Sequence, residues 1–266
     1  MAKLSELEKL SGLGFEETST DDMAIPFLRI LANTSPQTNK RDGAYVEGAE
    51  AGMIYNSVTH EVYDGVKGIE VIPCHYNTRY VEWTPREQGG GYMGSYLPED
   101  PIVKTTTSNE RNEDVLPNGN LLTKTSQFFV LLVEGDQVSK ALIPMTSTQL
   151  RKAKRWNSLL SQQTFKGSDG KPKRLPMMST KFKLTTIEER NDKGSWFGWD
   201  IEKVGAVDEL DKLTDNDMFQ EGLTFQSAVL EGKAQIQHQA LEQESTDYKK
   251  EIDFPTTDDV EDETPF

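Results

Sequence analysis

The stretch Gln127-Phe128-Phe129-Val130-Leu131-Leu132-Val133, then Glu134-Gly135-Asp136-Gln137, then Val138-Ser139-Lys140-Ala141-Leu142-Ile143, decides how the fold is read. The first run is apolar at almost every position and too short for a typical helix. Such a run is a strand buried on both faces, at the centre of a sheet. Gly135 and Asp136 supply turn chemistry, and the second run returns beside the first. Residues 126–144 are therefore the clearest hairpin of the chain.

Upstream lie shorter β-like runs: Gly52-Met53-Ile54-Tyr55-Asn56, Val62-Tyr63-Asp64-Gly65, Gly68-Ile69-Glu70-Val71-Ile72-Pro73 and Arg79-Tyr80-Val81-Glu82-Trp83. Gly, Asn, Asp and Pro separate them, as turns require. Residues 84–120 read as a long excursion, with Gly89-Gly90-Gly91 as a flexible finger. Downstream, residues 146–163 switch to helical period. Thr146 and Gln149 have capping-box spacing, and Leu150, Ala153, Trp156 or Asn157, and Leu160 share one face. A second hairpin pairs 180–188 with 195–204 around Asn191-Asp192-Lys193-Gly194.

Strands, hairpin, helix, hairpin is the order of an OB-like barrel. The expected fold is mainly β, with a five-stranded core and a helix between strands 3 and 4. This domain spans 24–205, after a flexible segment 1–23 in which Leu4, Leu7 and Leu10 suit a short helix. A helical extension covers 206–241, and a disordered acidic tail 242–266. In the extension Met218, Phe219, Leu223, Phe225, Ala228 and Val229 suit packing on the domain or on a second subunit, so a homo-oligomer is among the expected partners.

Composition narrows the function. No apolar run approaches the ~20 residues that span a bilayer. The first residues carry acids where a signal peptide needs an apolar stretch, so the expected location is cytoplasmic. A lone Cys74 excludes an intrachain disulfide and a Cys-rich zinc site, and only His60, His75 and His238 are present. No nucleophile elbow, kinase signature or zinc motif occurs, so neither enzyme nor cofactor is expected. The net charge of −15 is unevenly spread: residues 140–203 hold 14 basic and 6 acidic side chains. A local positive surface is what polyphosphate binding needs, whatever the global balance.

Binding of single strands needs a cationic groove and rings on which bases stack. The cations expected there are Arg151, Lys152, Lys154, Arg155, Lys171, Lys173, Arg174, Lys181 and Lys183. Lys181 and Lys183 alternate with Phe182 and Leu184, so the lysines share one strand face and the apolar pair the other. The candidate rings are Trp156, Trp196 and Trp199, with Tyr80 and Trp83 beside Arg79 and Arg86.

The chain ends Asp258-Asp259-Val260-Glu261-Asp262-Glu263-Thr264-Pro265-Phe266. This resembles the acidic tails of bacterial and phage single-stranded DNA-binding proteins, with Thr264 where an apolar residue usually precedes Pro-Phe. Ile25-Pro26-Phe27-Leu28, Ser35-Pro36-Gln37, Gly52-Met53-Ile54, Val62-Tyr63-Asp64-Gly65, Val71-Ile72-Pro73-Cys74, Tyr80-Val81-Glu82-Trp83 and Gly89-Gly90-Gly91 resemble a family of phage single-stranded DNA-binding proteins. The resemblance implies coating of single-stranded DNA without sequence preference, in phage replication, recombination or repair. It also implies a tail that recruits a polymerase, helicase or recombinase through Asp258, Asp259, Glu261, Asp262, Glu263, Pro265 and Phe266. Two other readings fit the same residues: an acidic interaction or inhibitory factor that mimics DNA, and an RNA-binding protein.

Overall fold

The computed structural model describes residues 9–10, 13–14, 16, 24–191 and 194–232. The expectations for Leu4 and Leu7, for the Asp192-Lys193 turn and for the tail from 242 onward lie outside them. A small antiparallel sheet comes first: β1 (Leu28–Ile30), β2 (Ile54–Asn56) and β3 (Val62–Tyr63). β4 (Ile69–Trp83) follows, then β5 (Tyr92–Tyr96), β6 (Thr107–Ser108), β7 (Asp114–Val115), β8 (Leu121–Glu134) and β9 (Gln137–Met145). Helix α1 (Gln149–Ser161) leads to the ribbon β10 (Thr164–Lys166) and β11 (Pro172–Arg174). The hairpin β12 (Thr180–Asn191) and β13 (Gly194–Ala206) precedes helix α2 (Asp217–Leu230).

The two short strands expected at 68–73 and 79–83 are one strand, β4. Pro73 would normally end a central strand, because it has no N–H for the ladder. Here the β4–β8 register shifts between Pro73 and His75, so Pro73 lies at a bulge and pairing resumes beyond it. The excursion 84–120 is also more ordered than expected. Gly89, Gly90 and Gly91 link β4 to β5 with φ of 106°, 67° and 126°, values that side chains rarely tolerate.

The five long strands form a curled antiparallel half-barrel in the order β9-β8-β4-β12-β13. Numbered along the chain, that path is third, second, first, fourth, fifth. Its concave side holds Phe128, Val130, Leu132, Ile143, Phe182, Leu184, Trp199 and Ile201, closed by Trp156 and Leu160 of α1 and Leu28 and Ile30 of β1. Its convex side packs Ile72, Cys74, Phe129, Leu131 and Leu142 against Phe219 and Phe225 of α2. Both faces of β8 are thus buried, as its sequence requires. The extension as far as residue 232 lies on the sheet of its own chain, with Asn216 capping α2 by accepting from the Phe219 N–H at 3.1 Å.

The small sheet spans the mouth of the half-barrel. The Leu142 N–H donates to Pro26 O on one side, and the Thr186 N–H to Gly65 O on the other, both at 2.8 Å. A Cβ added to Gly65 would stand 2.0 Å from Gly52 O, so only glycine permits this approach.

The far end of β4 forms an arm beyond the barrel. There the buried Glu82 carboxylate accepts from Tyr96 Oη, Asn118 Nδ2 and Asn120 Nδ2, which ties the excursion down. Burial alone would raise the Glu82 pKa, but the three donors outweigh it and hold the carboxyl below its ordinary value. Its contribution is therefore complete at neutral pH and fades as pH falls through that lowered value. Glu82→Gln is expected to cost roughly 1.5–3 kcal/mol of stability near pH 7, the contribution of a charged hydrogen bond, and so to lower Tm there. The gap to wild type should narrow as pH falls below the ordinary carboxylate range and the lowered Glu82 carboxyl takes up its proton. A gap independent of pH in calorimetric melts would contradict this.

Candidate nucleic-acid interface

β13 ends the sheet, so one row of its backbone groups has no strand to pair with. Helix α1 supplies the partners. Gln149 donates from Nε2 to Phe197 O at 3.3 Å and accepts from the Trp199 N–H at 3.2 Å. Arg155 donates to Ile201 O at 3.1 Å. The helix thus lies along the edge and protects it. This corrects the capping box: Gln149 is the first helical residue and is buried against β13, while the N-cap is Thr148, with no side-chain cap bond. Edge groups that would otherwise be unsatisfied claim the amide.

With Ala153, Trp156 and Leu160 turned inward, α1 presents Arg151, Lys154 and Arg155 outward. Arg155 also meets Asp200 at 3.6 Å. The ribbon docks at the end of α1, where the Leu175 N–H donates to Gln163 O at 2.9 Å. Lys166, Lys171, Lys173 and Arg174 are all exposed on it. Lys173 lies 3.9 Å from Asp169, and Lys203 of β13 donates to Gln163 Oε1. The cations of α1 and of the ribbon therefore lie on two elements that adjoin at Gln163.

Trp196 borders the start of α1. Its Nε1 donates to Glu189 Oε2 at 3.1 Å, and Glu189 Oε1 pairs with Lys152 at 2.7 Å. A half-buried ring and a lysine are thereby joined through one carboxylate.

The remaining candidates separate. Trp83, Trp156 and Trp199 are 4%, 0% and 2% exposed, so the expectation that they stack on bases is corrected: they fill the cores. Trp156 stacks on Phe128 at 4.2 Å between ring centroids. Lys181 and Lys183 do alternate with the buried Phe182 and Leu184, and so point to the convex side. There Lys183 lies between Glu70 and Glu202 of the neighbouring strands, which offsets its charge. Tyr80 and Arg79 sit on the arm, on opposite faces of β4. Burial, and then the charge of Arg79, hold the pKa of His75 below its ordinary value. The side chain of Arg86 and the tail residues Asp258, Asp259, Glu261, Asp262, Glu263, Pro265 and Phe266 lie outside the described residues.

Sequence reasoning missed Lys166 and Phe165, which complete the ribbon. The signal was the pair of short runs 164–166 and 172–174 around Gly167 and Gly170, a hairpin pattern. It also missed Tyr76, whose ring packs on Phe128 at 4.9 Å, because β4 was expected to stop at Pro73.

A family model described as Pam3 phage gp34-like protein matches residues 1–235. The chain belongs to that family. The match spans every strand and both α-helices named above among the described residues of this phage gp34-like protein, whereas residues 242–266 lie beyond it. No curated protein and no solved structure matches the chain. No helix among the described residues of the gp34-like chain is long and apolar enough to cross a membrane.

Proposed function

We propose that this gp34-like protein binds single-stranded DNA without sequence preference, in phage replication, recombination or repair. The observation that carries the reading is the set of exposed cations on α1 and on the ribbon that adjoins its end, with Trp196 joined to Lys152 of α1 through Glu189. The strand path supports it: third-second-first-fourth-fifth, with a helix between the third and fourth strands, is the path of an OB-like barrel. In such barrels the second and third strands and two loops bind oligonucleotides. Here α2 covers the convex face of β8 and β9, with the Phe129 and Phe225 rings 6.1 Å apart. The strand is therefore assigned to the neighbouring surface: Arg151, Lys152, Lys154, Arg155, Lys171, Lys173 and Arg174 take phosphates, and Trp196 stacks on a base.

Two further roles fall to the acidic tail. It competes with DNA for the cations, and through Phe266 it recruits a polymerase, helicase or recombinase. Removing residues 256–266 is then expected to tighten single-strand binding, most at low salt. A gel-shift series with the tailless protein on single-stranded DNA, duplex DNA and RNA, across salt, tests the whole reading. Affinity that ignores salt would exclude a phosphate surface. No binding at all would favour a DNA mimic, which the net charge of −15 also suits. A preference for RNA would reassign the polymer.

A further inference from the structure

Phe165 lies at the centre of β10, opposite Lys173, and is only half-buried. Every buried aromatic ring in the described residues belongs to one of three apolar clusters, and Phe165 packs against none of them. It makes no ring contact with another described residue. An isolated two-stranded ribbon is marginally stable, so its apolar residues would ordinarily serve as its anchor. The anchor here is a different residue: Leu175 packs against the convex cluster and bonds through its N–H to Gln163. Phe165 is left as a partly exposed ring, paired with Lys173 on a ribbon that also carries Lys166, Lys171 and Arg174.

We propose that Phe165 is a base-stacking residue for single-stranded DNA, with Lys173 beside it and Lys166 and Arg174 on the opposite ribbon face holding the flanking phosphates. The inference rests on the single-strand reading above and adds to it a ring outside the barrel. Charge complementarity selects a polyanion. A partly exposed ring that joins no apolar cluster selects one whose base faces are free, which excludes a duplex.

The test compares the full chain as wild type, Phe165→Leu and Phe165→Tyr. Two probes of equal length are titrated at one salt concentration, an oligothymidylate and an abasic deoxyribose-phosphate oligomer. Phe165→Leu keeps the bulk and removes the ring. It is expected to weaken oligothymidylate binding by about 5- to 150-fold, the span of one stacked base. Phe165→Tyr should bind like wild type, and the abasic oligomer should bind wild type and Phe165→Leu equally. Undiminished oligothymidylate affinity in Phe165→Leu, or an equal loss on both probes, would overturn the assignment. So would a large drop in Tm for Phe165→Leu, which would make the ring a packing residue. Wild type that binds neither probe would instead remove the single-strand reading itself.

Discussion

Trp156→Ala should lose about 3–5 kcal/mol of stability, the cost of emptying a large buried aromatic site. For a domain of this size that is a Tm drop of about 6–20 °C. The indole is fully buried, stacks on Phe128 and meets Phe182 edge-on at 5.7 Å. Trp156→Phe should be much milder, for a specific reason. The indole N–H is buried with no hydrogen-bond partner, and such a donor costs about 1–3 kcal/mol. Removing it offsets part of the lost contact area. Thermal melts decide the point: a Trp156→Ala protein with native Tm and weakened DNA binding would return this ring to the interface.

Converting Arg151, Lys154, Lys171 and Arg174 together to Gln should have the largest effect on affinity. All four are exposed, and none makes an ion pair among the described residues, so little of the fold depends on them. Each phosphate contact on a single strand contributes about −0.7 to the slope of log affinity against log salt. Four lost contacts flatten that slope by about 3 and weaken binding by about 10²–10³-fold near 0.1 M salt. Restoring single cations should recover the slope in steps. A quadruple variant whose slope and affinity match wild type would place the phosphates elsewhere on the molecule.

The separation of rings from cations shows where sequence reasoning reached and where it stopped. Trp196 and Trp199 are three residues apart, and on a strand an odd spacing sends two side chains to opposite faces. Both could never have lined one groove. Which of them turned inward depended on the register of β12 and β13, where Trp199 lies opposite Thr186 and Trp196 opposite Glu189. Trp156 lay on the apolar face of its helix with Ala153 and Leu160, and that face was legible. Its neighbours Arg155 and Lys154 were legible too, because a helix turns adjacent residues to different sides. Pro73 misled the reading for a physical reason: a proline ends a strand unless a bulge accommodates it, and a bulge forms only against a partner strand.

Periodicity in the chain by itself determined the hairpin at 126–144, the helix after it, the alternation of Lys181 and Lys183 with Phe182 and Leu184, and the cationic character of 140–203. Those features depend on residues a few positions apart. Only the tertiary structure decided that α1 caps the β13 edge through Gln149 and Arg155, that α2 covers β8 and β9, and that Phe165 is left partly exposed on the cationic ribbon. These outcomes depend on contacts such as that of Thr186 Oγ1 with Gly52 O, 134 residues apart. Such distant groups must satisfy one another once water is excluded, and no local pattern encodes which pair will meet.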